Sequence, residues 1–108
     1  MWRCKAAPPV PEEVRKIAGL LERRYAVSIL YASLQGATRF TEFRQALGEI
    51  PPRTLTQRLA ELERAGVFER IVHDSRPPLV EYRLTSEGER LLAVVKALGA
   101  WADARAVR

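Results

Sequence analysis

Between Pro51 and Gly66 the chain reads PPRTLTQRLAELERAG, and within it Leu55, Leu59 and Leu62 recur at helical spacing. At about 100° per residue these leucines fall within roughly 60° of one another around a helix axis, a stripe narrow enough to be one core-facing side. Arg53, Gln57, Ala60 and Arg64 lie opposite, with Thr54 and Glu61 on one flank and Thr56 on the other. That outer face carries long donors and small groups but no large apolar side chain, so it suits water or a polar partner. Pro52 fits the first helical position, where its missing N–H is no loss, and Gly66 fits the left-handed residue just past the end. Upstream, Thr41 to Gly48 (TEFRQALG) reads as a short helix with Thr41 as N-cap and Phe43 and Leu47 facing inward. Two short helices joined by a few residues predict a helix-turn-helix over about residues 41–66.

The flanks follow from the same reasoning. Residues 1–10, rich in proline and holding Trp2, Arg3, Cys4 and Lys5, read as a flexible arm ahead of a single domain over 11–105. Pro11 to about Glu22 starts as a helix should, with Glu12 and Glu13 in its first turn and Val14, Ile17, Ala18 and Leu21 as an apolar stripe. Tyr25 to about Leu34 is apolar nearly all round and is expected at the buried centre, with Gly36 as its C-cap and Thr38-Arg39-Phe40 following as a short bridge or edge strand. After Gly66 the period changes. Val67 to His73 and Leu79 to Leu84 are β-prone runs around the polar, Pro-flanked loop Asp74 to Pro78, which predicts a hairpin wing over about 67–84. Thr85-Ser86 caps a last helix over about 86–104, with Ser86 and Glu89 spaced as a capping box. Leu91, Leu92, Val94, Val95, Leu98 and Trp101 cover more than one side of that helix, and a second copy of the chain is the simplest cover for the second side. The expected fold is mainly α with a small β-hairpin wing, a winged helix-turn-helix that dimerises through its terminal helices.

With 108 residues and 47% hydrophobic content the chain supports one modest core. No run of 18 or more apolar residues is present and the N-terminus lacks the apolar stretch of a secretion signal, so no membrane partner and a cytoplasmic location are expected. One cysteine and one histidine provide neither an internal disulfide nor a usual zinc site, and no cofactor motif is found. His73 accordingly reads as a strand-end histidine. There is no phosphate-cradling glycine loop and no nucleophile elbow, and Glu61 and Glu63, two apart on a helix, do not face each other, so an enzyme is not expected. A net charge of +5 favours a polyanionic partner, nucleic acid first.

The segments RFTEFRQAL, IPPRTLTQRLAELERAGVFER and PPLVEYRLTSEGERLL together resemble the HxlR-type winged helix-turn-helix regulators, relatives of the broader MarR group. The resemblance runs from about Pro11 to Trp101. It implies a small bacterial transcription regulator that binds DNA as a homodimer, pairing through N- and C-terminal helices. It also implies that Arg53 to Arg58 lies in the recognition helix and Arg76 on the wing. Two departures stand out. Cys4 is out of register with the family cysteine, whose aligned position falls near Glu12, and Pro51 stands where the family often has a serine cap.

In a major groove the first turns of a recognition helix make the base contacts, which points to Arg53, Thr54, Thr56 and Gln57. Arginine pairs bidentately with guanine and glutamine with adenine, while threonine touches a thymine methyl or a phosphate. The alternative for these four is a solvated helix face. Arg58, beside the leucine stripe, is read either as a phosphate contact or as half of an ion pair with a carboxylate such as Glu42. Arg76 is a wing contact to phosphate or minor groove, or a solvent-exposed loop charge. Arg39 and Arg44 are candidates for the flanking backbone. Cys4, between Arg3 and Lys5, is read either as a redox thiol able to crosslink subunits or as an incidental one. The competing function is a winged helix serving as a protein-interaction module without an operator. A small-molecule effector is compatible with the sequence, but no motif identifies one.

Overall fold

The computed structural model describes residues 7–106, in the order α1 (Glu12–Leu21), α2 (Ala26–Leu34), α3 (Phe40–Leu47), α4 (Pro52–Arg64), β1 (Phe68–His73), β2 (Leu79–Leu84) and α5 (Ser86–Ala106). The readings placed on Cys4 and on residues 1–6 of the arm lie outside the described residues. Ile29, Leu30, Phe43, Leu55, Leu59, Leu62 and Phe68 form the fully buried centre, closed by Leu92 and Val95 of α5. The described residues thus follow the five-helix, single-hairpin plan of a winged helix-turn-helix.

Each boundary has a local cause. Val67 donates its N–H to the Leu62 carbonyl at 2.9 Å and Gly66 donates to Glu63 at 3.0 Å, the paired bonds of a Schellman end, with Gly66 at φ 82°. Gly36, at φ 109°, ends α2 in the same way, with Ala37 bonded to Ala32 and Gly36 to Ser33. α2 starts at Ala26 rather than Tyr25 because Tyr25 takes a left-handed φ of 73°, with the Arg24 guanidinium 5.0 Å from its ring centre.

Three expectations are corrected at the element starts. Thr41 does not cap α3: the helix begins at Phe40, and the Glu42 carboxylate in its first turn reaches back to accept from the backbone N–H of Thr38 (2.9 Å) and of Arg39 (3.0 Å). A long carboxylate satisfies two orphan donors there, which a threonine hydroxyl at that position would not. Thr38-Arg39-Phe40 forms no strand. Its one backbone bond to the hairpin runs from the Tyr82 N–H to the Thr38 carbonyl at 2.7 Å. At α5 the cap is Thr85 rather than a Ser86–Glu89 box, because the Thr85 hydroxyl oxygen accepts the Gly88 N–H at 3.0 Å while the hydroxyl faces the carbonyls of Gly66 and Val67. That cap sits against the end of α4 so closely that a Cβ on Gly88 would lie 2.2 Å from the Val67 carbonyl oxygen.

The hairpin is antiparallel, in register from Phe68 opposite Leu84 to His73 opposite Leu79. Phe68 packs on Phe43 of α3 and on Tyr82 across the ladder, with ring centres 5.9 and 6.4 Å apart. The wing base is thereby part of the core, while the loop from Asp74 to Pro78 is exposed.

Candidate nucleic-acid interface

α4 divides as its periodicity requires. Leu55, Leu59 and Leu62 are buried, whereas Arg53, Thr56 and Gln57 are exposed and Thr54 is half-buried at the flank. Pro51 supplies no side-chain cap, so the first-turn N–H groups are left at the positive end of the helix, a natural complement to phosphate. The Thr56 hydroxyl donates to the Pro52 carbonyl at 3.0 Å, which spends its proton inside the helix and leaves its methyl and an acceptor oxygen for a partner.

Arg58 differs from its neighbours. Its side chain is only 12% exposed, its Nε donates to the Arg24 carbonyl at 2.9 Å, and its Nη1 lies 3.4 Å from Glu61. Glu61 in turn receives Arg23 at 3.0 Å, so the pair ties α4 to the turn between α1 and α2. The carboxylate partner is Glu61 and not Glu42, whose oxygen is occupied at the start of α3 and whose acid is shifted below its ordinary range mainly by the Thr38 and Arg39 backbone donors.

Arg44 on α3 and Arg76 on the wing loop are exposed, and neither they nor Arg53 form an ion pair among the described residues. Arg39 is exposed at the start of α3, its charge acting on Glu42. Ser75, next to Arg76, donates its hydroxyl to the Pro77 carbonyl at 2.8 Å, which shapes the loop tip.

One cluster was not singled out from the sequence. Glu81, half-buried in the middle of β2, takes His73 Nε2 and Arg83 Nη2 on one oxygen, each at 2.7 Å, and the Thr38 hydroxyl on the other at 3.1 Å. These hydrogen bonds, that with His73 foremost, lower its pKa to about 2. The legible signal was the i, i+2 spacing of Glu81 and Arg83 on one strand face. Thr38 is brought to them only by the fold. Elsewhere, α2, the end of α3 and α5 border a groove of about 590 Å³ lined by Tyr25, Tyr31, Gln35, Leu47, Leu98 and Ala102.

An exposed, donor-rich helix held by a buried leucine stripe, with a hairpin beside it, defines a DNA-binding transcription regulator of the winged helix-turn-helix class. Within that class the chain belongs to the HxlR-like helix-turn-helix family, whose model matches residues 20–108. It is 36% identical over 87 residues to the uncharacterised HTH-type transcriptional regulator YvaP of Bacillus subtilis, covering 81% of each chain. Among solved structures it is similar to the redox regulator HypR in its reduced form, with a TM-score of 0.79, 31% identity and coverage of 89% of this chain and 95% of that one. A MarR-family regulator from Enterococcus faecalis V583 superposes with a TM-score of 0.73 at 30% identity, over 94% of each chain. The family consists of transcription regulators and not enzymes. No helix among the described residues is long and apolar enough to cross a membrane.

Proposed function

We propose that the chain is a sequence-specific regulator that binds double-stranded DNA as a homodimer on an inverted repeat, with half-sites about one helical turn apart. In this reading residues 11–105 act as one winged helix-turn-helix unit in the bacterial cytoplasm. α4 enters the major groove, and the wing lies on the flanking backbone or minor groove. Arg53, Thr54, Thr56 and Gln57 face the bases, Arg76 serves the wing, and Arg39 and Arg44 hold the backbone alongside. Arg58 contributes through the scaffold, keeping α4 seated. The observation that carries the reading is the outer face of α4, where Arg53 and Gln57 stand exposed over a fully buried leucine stripe.

Dimerisation is supported by the terminal helices. α1 buries none of its residues, and Val14 and Ile17 on its apolar stripe are exposed together with Val94, Leu98 and Trp101 of α5. The groove beside α5 is the supporting feature for a small-molecule effector, whose identity is unassigned.

Selection of bound duplexes from a random pool, followed by titration of the enriched duplex at two salt concentrations, tests the reading. An enriched inverted repeat with log K falling by about 0.9 per neutralised phosphate for each tenfold rise in salt supports it. A folded dimer that enriches no sequence and shows no salt slope sinks it in favour of a protein-interaction module.

A further inference from the structure

Among the described residues the wing is a ribbon of two strands that pair only with each other. Ribbons of this kind are marginally stable alone and need outside support to hold a direction. At the base that support is strong: Phe68 is in the core, and Thr85 bonds the end of α4. Toward the tip it fades. Val72 is exposed and so is every residue from Asp74 to Pro78, including Arg76. The outermost polar attachment runs through Thr38, a residue that lies in neither helix nor strand.

Thr38 uses all of its backbone and side-chain polar groups in this attachment. Its carbonyl accepts the Tyr82 N–H at 2.7 Å, its N–H donates to Glu42 of α3 at 2.9 Å, and its hydroxyl lies 3.1 Å from Glu81 of β2 and 3.3 Å from Glu42. A hydroxyl has one proton, and the shorter contact is to Glu81. Glu81 is held toward Thr38 by its other oxygen, which receives His73 from β1 and Arg83 from β2. One carboxylate therefore joins both strands of the wing to the segment that starts the helix-turn-helix. Register places it opposite Ile71, between the anchored base and the free tip.

We propose that Thr38 and Glu81 form a clamp that fixes the angle of the wing against the helix-turn-helix, making both of them positioning residues for DNA binding by Arg76. The clamp rests on the reading that the wing touches DNA, but its existence is a property of the free protein and is measurable there. Without the Thr38 hydroxyl, Glu81 keeps its partners within the wing and loses its link to the segment ahead of α3. The ribbon then swings about its base, and Arg76 no longer arrives at a fixed place when α4 docks.

Two measurements test this, using the full chain as Thr38→Val, Thr38→Ser and Glu81→Gln. The first is amide exchange in the free protein. In Thr38→Val and Glu81→Gln the Tyr82 N–H should exchange at least about tenfold faster while Leu59 and Leu62 in α4 keep their rates, and Thr38→Ser should restore protection. An unchanged Tyr82 rate in Thr38→Val overturns the clamp whatever happens with DNA. The second is a cycle with Arg76→Ala on a duplex enriched from a random pool. Arg76→Ala should weaken binding about tenfold in the unsubstituted and Thr38→Ser proteins but no more than about twofold in Thr38→Val. An equal loss in both backgrounds, or none in either, overturns the positioning role. If the unsubstituted protein binds no duplex, the DNA reading fails and takes the positioning role with it, and the exchange result still decides whether the clamp exists.

Discussion

α1 and α4 are built from the same pattern and end in opposite states. Both carry an apolar stripe at helical spacing and a charged opposite side, and both start at a proline. In α4 the stripe is consumed within the chain, with Leu55, Leu59 and Leu62 fully buried, so the surface left over is polar. In α1 no residue is buried, and Val14 and Ile17 are about half exposed, so the surface left over is apolar. Periodicity says which side of a helix seeks cover. Whether the chain provides that cover depends on where the helix sits: among the described residues α1 meets the core cluster through Leu20 and Leu21 in its last turn, while Val14 and Ile17 in its earlier turns stay exposed.

The largest effect separates the two stripes directly. Leu59→Ala leaves a cavity at a fully buried site and should cost about 2–5 kcal/mol in chemical denaturation. Val14→Ala, at a half-exposed helix position, should stay within about 0.5 kcal/mol at concentrations low enough for monomer. If Val14→Ala costs as much as Leu59→Ala in dilute protein, the contrast between the helices is false.

The next effect concerns what covers α1 and α5. Ile17→Glu and Trp101→Glu should keep the helical circular dichroism of the parent. Each should weaken self-association in sedimentation at least about tenfold, roughly 1.4 kcal/mol. The parent's unfolding midpoint should rise with protein concentration, and that of each variant should rise less, because a dimer is stabilised by mass action. A concentration-independent midpoint in the parent would mean that no second copy covers this face.

Changes of comparable size sharpen the role of the polar face of α4 against that of the wing. Arg53→Ala should cost about 1–3 kcal/mol on the enriched duplex and relax discrimination at one base pair, whereas Arg76→Ala should weaken all duplexes alike and lower the salt slope by about 1. Competition titrations against single-base variants of the duplex separate the two. A uniform loss for Arg53→Ala would move it from base reading to backbone contact.

The parts of this molecule legible in its sequence are those whose cause is local. The limits of α4 follow from Pro52 and Gly66, the strand of Leu79 to Leu84 from alternation, and the buried centre from the leucine and phenylalanine spacing. The start of α3 departs from its pattern because a threonine before a helical run resembles a cap, whereas the Glu42 carboxylate serves the donors of Thr38 and Arg39 from inside the helix. The partner of Arg58 is hidden for a related reason: Glu42 and Glu61 are both carboxylates within reach by sequence, and only the fold shows that Glu42 is already engaged. Arg53, Gln57 and Arg76 are exposed in the structure, as a binding surface requires, but exposure follows from pattern while the wing's direction does not. Thr38 and Glu81 are 43 residues apart, and nothing in either neighbourhood anticipates the contact.

That non-local cluster also yields the gentlest of these tests, a dependence of stability on pH. Glu81 is held at a pKa of about 2 against an ordinary 4.5, first by His73, then by Arg83, with Thr38 adding to both. Its folded-state value is depressed, so as pH falls the unfolded chain takes up the proton first. The contribution of the ionised carboxylate is therefore complete above about pH 4.5 and disappears as pH falls toward 2. Urea unfolding between pH 6 and pH 2 should show the parent's advantage over Glu81→Gln shrinking through that window, the effect remaining small because the cluster keeps contact with solvent. Glu42 is shifted in the same direction by backbone donors, so Glu81→Gln should keep part of the acid sensitivity and the double change with Glu42→Gln should lose more. If Glu81→Gln and the parent lose stability in parallel from pH 5 downward, the carboxylate is not stabilised by its wing partners.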